Sequence, residues 1–305
     1  MKRSAWKRAK LFFGFISMIT IAAAPAIGAM ADHPEHPEGS EHPGGGALGT
    51  PFSVDAGVDV LSAYFFRGIH QEDSELIAQP WIELGTTVLE SIDATLGFWN
   101  SLHSERTGTN RNGWSYWYEA DVYAGLSTDV GENWNLGVTY TWYNSPNSAF
   151  LDVQELALGI KFDDSSCWEA AGVSIPGFSG LGPSATIAFE TNGAADGRRQ
   201  GTYLELAIEP AMTPTAGSPV TVSFPTTLGL SIEDYYESPN AASDGSDESF
   251  GYLETGVKLT YPVDDNWDVY GGVHAMFLGS TAREFNDGDD VGFEIIGKFG
   301  VSISF

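Results

Sequence analysis

From residue 53 to the last residue, apolar side chains recur at every second position, in short segments separated by polar connections. A period of two is the repeat of a β-strand, whose successive side chains point to opposite faces. The clearest segments are Tyr116-x-Tyr118-x-Ala120-x-Val122-x-Ala124-x-Leu126, Trp134-x-Leu136-x-Val138-x-Tyr140-x-Trp142 and Val291-x-Phe293-x-Ile295-x-Gly297-x-Phe299-x-Val301-x-Ile303-x-Phe305. Others begin at Val54, Ile92, Leu204, Val220, Leu253 and Trp267, with weaker ones over 80–89, 154–162 and 184–191. That makes about twelve strands, most near the ~9–11 residues a tilted strand needs to cross a bilayer.

A soluble sandwich alternates too, so the connections decide. Long polar ones (68–79, 102–113, 143–150, 192–201, 235–249 and 279–290) alternate with short turns at Glu90-Ser91, Thr128–Asn133 and Val263–Asn266. Two connections, 163–183 and 210–219, are longer than an ideal turn. Trp134 and Trp267 open strands after short turns, while Tyr64, Phe66, Trp114, Tyr116 and Trp142 lie toward the long loops. Two belts of amphipathic rings suit the two membrane–water boundaries. The expected fold is all-β: a transmembrane antiparallel up-and-down β-barrel of about 12 strands over residues 52–305. One cysteine excludes a disulfide framework. After residue 31 no run approaches the roughly 18 apolar residues of a membrane-spanning helix.

Ahead of the strands, MKRSAWKRAK is basic, the following stretch is apolar, and Ala29-Met30-Ala31 fits a cleavage site. Residues 1–31 thus read as a cleaved signal peptide, the alternative being an uncleaved anchor helix. Residues 32–51 are rich in His, Pro and Gly and read as a disordered tether. Its His33, His36 and His42 would make at most a weak site for Zn²⁺, Ni²⁺ or Cu²⁺. The whole chain carries 14 basic against 41 acidic residues, a net charge of −27, which argues against nucleic acid as a partner.

The segment Ser62-Ala63-Tyr64-Phe65-Phe66-Arg67-Gly68-Ile69-His70-Gln71, followed by Glu72-Asp73, resembles the first-strand motif of the Gcw_chp-type family of uncharacterised bacterial outer-membrane β-barrel proteins. His70 stands where that family usually has Ser. The last strand, ending in Phe305, is similar to the terminal strand that the barrel assembly machinery recognises. These resemblances imply an outer-membrane barrel of undefined transport function and bring no catalytic residues, no cofactor and no metal.

With the apolar residues facing lipid, the other parity faces inward. It collects Asp55, Asp59, Glu83, Asp93, Glu119, Asp121, Glu155, Glu190, Glu205, Glu209, Glu254, Asp268 and Glu294, with Arg67, Lys161, Lys258 and Lys298. It also collects many glycines, which read as leaving lumen space. Carboxylates lining a pore favour cations, so the expected function is a porin-like passive channel for small solutes with cation preference. The alternatives are a closed structural or adhesin-like barrel with binding loops, and a secreted carbohydrate-binding β-sandwich. His103 beside Ser104 and the inward His274 match no catalytic motif. The loop acids 244–248 and 286–290 read as solvated, with Ca²⁺ binding as the other reading.

Overall fold

The computed structural model describes residues 52–73, 76–89, 91–104, 108, 115–237, 248–285 and 292–305. The export segment 1–31, the tail 32–51 with His33, His36 and His42, Glu90, Trp114, Val291 and the loop acids 244–247 and 286–290 lie outside the described residues.

In chain order the elements are β1 (Phe52–Leu61), β2 (Tyr64–Phe66), β3 (Ile69–Glu72), β4 (Ile77–Leu89), β5 (Ile92–His103), β6 (Trp117–Val130), β7 (Trp134–Asn144), β8 (Val153–Phe162), α1 (Ser165–Ala170), β9 (Ser184–Asn192), β10 (Thr202–Ile208), β11 (Ala211–Met212), β12 (Thr221–Ser223), β13 (Thr226–Glu233), β14 (Phe250–Pro262), β15 (Trp267–Leu278), α2 (Ser280–Glu284) and β16 (Phe293–Ser304). β10 with β11, and β12 with β13, each make one barrel strand. They are interrupted at Pro210 and Pro225, which have no N–H to offer a ladder. The barrel therefore has twelve strands, each antiparallel to its sequence neighbour. β1 closes it by pairing with β16 from Asp55↔Ser304 to Leu61↔Lys298, and Phe305 exchanges both backbone hydrogen bonds with Val54.

The outside of this cylinder is apolar all the way round. Leu84, Phe98, Val122, Leu136, Trp142, Leu158, Leu206, Val257, Val273, Ile295 and Phe299 are all exposed. So continuous an apolar surface is a liability in water and the natural exterior of a membrane barrel. Among the described residues, the Asp, Glu, Lys and Arg side chains of the barrel strands take the opposite, inward parity, except Glu233 at the exposed end of β13, which pairs with the outward Thr202 beyond a register slip. A Lys or Arg on the lipid face would cost about 2–4 kcal/mol at mid-bilayer. No described helix is long and apolar enough to cross a membrane; the crossing elements are the strands.

Three expectations about side-chain direction need correction. Tyr64 and Phe66 are not in an outer aromatic belt: they are 1% and 9% exposed, inside the barrel. Residues 64–72, part of which reads as an outer loop, form a hairpin of β2 and β3 that, among the described residues, makes a two-stranded sheet of its own. Tyr118 also leaves the outer face, because the β5–β6 register slips by one residue between Ser101↔Glu119 and Leu102↔Trp117. A bulge of this kind re-aims one side chain. Finally, several inward glycines make room for rings rather than for solvent. A Cβ at Gly97 would collide with Tyr123, at Gly229 with Tyr252, and at Gly57 with Trp81.

Of the two overlong connections, 163–183 holds α1. Asp164 organises it, accepting from the Trp168 indole (2.7 Å) and the backbone N–H groups of Leu181 and Gly182. Although burial opposes its charge, those donors hold the Asp164 carboxyl below the usual range.

Candidate functional site

The inside of the barrel is the candidate site, and the β2–β3 hairpin is its central feature. Phe66 pairs with Ile69 across a two-residue turn, Arg67-Gly68, with φ of 49° and 81°. Positive φ at both central residues marks the mirror-image turn that matches the twist of a tight hairpin. Gly68 is needed for space as well, since a Cβ there would lie 3.1 Å from Tyr252. The hairpin spans the interior between two apolar clusters. Ala63, Phe65 and Ile69 pack with Tyr203, Tyr235, Tyr236, Tyr252 and Met276. Tyr64 and Phe66 pack with Trp99, Tyr118, Tyr123 and Tyr143. Burying residues such as Phe65, Phe66 and Ile69 stabilises this arrangement by about 1.5–3 kcal/mol each.

At the hairpin tip, Arg67 is 7% exposed and meets Glu155 of β8 through two hydrogen bonds, of 2.6 and 2.8 Å. It also donates to the Tyr235 hydroxyl at 3.1 Å. Its guanidinium carbon lies 4.1 Å from the centroid of the Tyr203 ring and 5.1 Å from that of Phe66. The Tyr236 hydroxyl donates to the Arg67 carbonyl (2.9 Å). Arg67 was expected among the inward bases, but it sits on the hairpin rather than on the wall.

The other inward bases are also engaged. Lys298 pairs with Asp59 at 2.9 Å, and Lys258 with Glu209 at 3.6 Å. Lys161 is half-buried at the turn end of β8. Most of the acids instead meet neutral donors. Tyr64 donates to Glu119 (2.8 Å), Tyr123 to Glu83 (2.9 Å), Tyr203 to Glu205 (2.9 Å) and Tyr270 to Asp59 (2.7 Å). Glu254 lies 2.7 Å from His274 Nδ1, Asp93 accepts from Thr87, and Glu190 accepts the backbone N–H of Gly201. Asp55 and Asp121 are buried, at 8% and 2% exposed, and Glu294 and Asp268 are half-buried. A hydroxyl steadies a carboxylate without cancelling its charge.

Sequence reasoning missed the tyrosines that carry this network. Tyr123, Tyr143, Tyr203, Tyr252 and Tyr270 occupy inward positions, so strand parity alone could have found them. Tyr235 and Tyr236 come from a connection, where parity has no meaning. His103 was expected in a loop and instead ends β5. Its Nε2 lies 3.0 Å from Ser101 Oγ and its Nδ1 4.0 Å from Glu72, with its ring stacked on Tyr118 at 4.4 Å. The Ser–His–carboxylate order is that of an activated nucleophile. Ser101 is 0% exposed, however, so a substrate has no approach to it in this conformation. Among the described residues no group of three or more His, Cys, Asp or Glu side chains is placed to hold a metal ion.

The described parts of the long loops are tied together by their own contacts. Glu248 accepts from Ser280 Oγ (2.7 Å) and the Thr281 N–H (2.6 Å) at the start of α2. Those donors outweigh partial burial and hold its carboxyl below the usual range. Asp196, more enclosed, is pushed up to about 6 by burial, against the N–H groups of Arg198 and Glu237 that it accepts.

Comparison with curated proteins finds no match. Among solved structures the chain is similar to the NanC porin, at 12% identity and TM-score 0.44 over 83% of this chain and 98% of that one. It is also similar to the KdgM porin, at 10% identity and TM-score 0.40 over 83% and 99%. An outer membrane channel from Pseudomonas putida F1 gives 9% identity and TM-score 0.43 over 83% and 94%. Likeness at this level carries no information about what passes through the barrel. Residues 46–166, from the approach to β1 through the start of α1, match the family described as "Bacterial protein of unknown function (Gcw_chp)", the same family that the segment Ser62–Gln71 resembles.

Proposed function

We propose that this chain is an outer-membrane channel for passive passage of small solutes, with cations preferred and the hairpin as its constriction. In this reading residues 1–31 are a cleaved export signal, 32–51 a tether, and 52–305 the barrel, with Phe305 presented to the barrel assembly machinery. The observation that carries it is the charge of the inner wall. Glu83, Glu119 and Glu205 accept tyrosine hydroxyls, whereas Arg67, Lys258 and Lys298 are each tied to one acid. On this reading the wall carries more acids than bases, and negative pore linings favour cations. Asp93 and Lys161 stand toward the turn end, where the wall is more open. No residue is assigned a catalytic role.

The experiment is planar-bilayer recording of the folded barrel under a KCl gradient. Small conductances with a reversal potential on the K⁺ side are expected. Anion preference would overturn the charge argument. Silence from a heat-modifiable, folded sample would favour a closed structural or adhesin-like barrel, a second reading that the packed hairpin supports. The closed β1–β16 seam already excludes the carbohydrate-binding sandwich, and recovery in the soluble fraction would count against membrane insertion of the barrel.

A further inference from the structure

Three features meet at the head of Arg67, and they come from different parts of the chain. Glu155 on β8 meets the guanidinium fork edge-on with both carboxylate oxygens. Tyr203 on β10 offers its ring face at 4.1 Å. Tyr235, from the connection after β13, accepts at 3.1 Å. A charge alone would be satisfied by a single carboxylate. A two-pronged acceptor, an aromatic face and a further acceptor together describe a planar, forked cation.

The cup is also built without the hairpin that fills it. Glu155 and Tyr203 are wall residues held by the barrel ladders. Arg67 arrives on a two-stranded sheet that shares no ladder with the wall. If the hairpin lifts, the guanidinium leaves with it and the wall's recognition elements stay.

We propose that the pocket filled by Arg67 is a guanidinium-recognition site of the pore, occupied at rest by the protein's own side chain and open to guanidinium-bearing solutes when the hairpin is withdrawn. This deepens the channel reading by naming the class of cation, and it rests on that reading only for the solute's passage. The resting state is the closed one, because withdrawal exposes Phe65, Phe66 and Ile69 as well as the tip.

The test uses the full barrel refolded in detergent, as wild type, Arg67→Ala and Arg67→Ala/Glu155→Gln. Methylguanidinium chloride is titrated against tetramethylammonium chloride and KCl at matched ionic strength, with the thermal midpoint and ligand-observed NMR as readouts. Arg67→Ala is expected to show saturable binding of methylguanidinium on the order of millimolar, with Glu155→Gln weakening it at least about tenfold. Wild type, its pocket filled, should show none. Equal response to tetramethylammonium, indifference to Glu155→Gln, or the same response from wild type would overturn the proposal. Arg67→Met keeps the aliphatic stem among the rings and carries the same titration if Arg67→Ala does not fold. A barrel that binds the probe yet conducts nothing loses the channel reading alone; one that conducts K⁺ but ignores the probe loses this site alone.

Discussion

The two halves of the barrel interior are built from the same strands yet solve different problems. Toward the long loops the cylinder is filled: Tyr64, Tyr203, Tyr235, Tyr236, Ile77 and Met276 have essentially no exposed surface, and the hairpin runs between them. Toward the short turns the inward positions are small or polar and partly exposed, among them Ser53, Thr87, Asp93, Ser127, Asn135 and Ser302. Ion pairs follow the same division. Arg67–Glu155 and Lys298–Asp59 are enclosed, whereas the side chains of Lys258 and Glu209 retain 15% and 28% of their exposure. One barrel thus carries a protein-like core at one end and a more open, polar wall at the other. Under the proposed channel reading, control of passage would belong to the filled half, and charge preference to both.

The largest effect expected from this contrast is on conductance. Replacing residues 63–72 by a short Gly/Ser linker should raise single-channel conductance severalfold while leaving the barrel's heat-modifiable migration intact. An unchanged conductance would mean that the constriction lies elsewhere. In stability, Glu155→Ala should cost about 3–5 kcal/mol, because it strands the Arg67 charge in a buried site. Lys258→Ala, in the half-open part, should cost less than about 1 kcal/mol. Urea unfolding of the two variants in the same detergent compares them directly, and equal costs would erase the distinction between the halves.

Glycines sharpen it further. Gly97→Ala forces the Tyr123 ring, and with it the Glu83 hydrogen bond, out of place; a cost of about 1–3 kcal/mol is expected for such overpacking. At Gly125 the nearest atom to an added Cβ is Thr139 Oγ1 at 3.1 Å, so Gly125→Ala should cost clearly less in the same assay. The smallest effect concerns the mouth. Asp196 has its folded value raised to about 6, so the folded state holds the proton more tightly than the unfolded chain. Stability is therefore gained as pH falls through about 6 and is complete below the ordinary aspartate value of about 3.9. Wild type should gain thermal midpoint relative to Asp196→Asn between pH 7 and pH 5. A difference that does not change with pH would contradict the burial of that carboxyl.

Much of this was legible beforehand, for local reasons. Strand parity placed Asp59, Glu155, Glu205, Lys258 and Lys298 on the face opposite Leu158, Leu206, Val257 and Phe299, because a pleated strand alternates regardless of what surrounds it. Parity failed where the ladder slips: the bulge at Tyr118 turns an apparently lipid-facing ring inward. It was silent where the chain leaves the ladder, so Tyr235 and Tyr236 gave no warning of their place beneath Arg67. Tyr64 and Phe66 misled for a subtler reason. An aromatic next to a long connection suits a membrane boundary and an internal partition equally well.

The sequence by itself determined a twelve-stranded alternating sheet with its charges on one face, since both are consequences of a two-residue repeat. Only the tertiary structure decided that Ser62–Gln71 folds into the cylinder rather than over it. The partners that hold it there, Glu155, Tyr203, Tyr235 and Tyr252, lie 88 or more residues beyond Arg67, and closure of the barrel is what brings them to it.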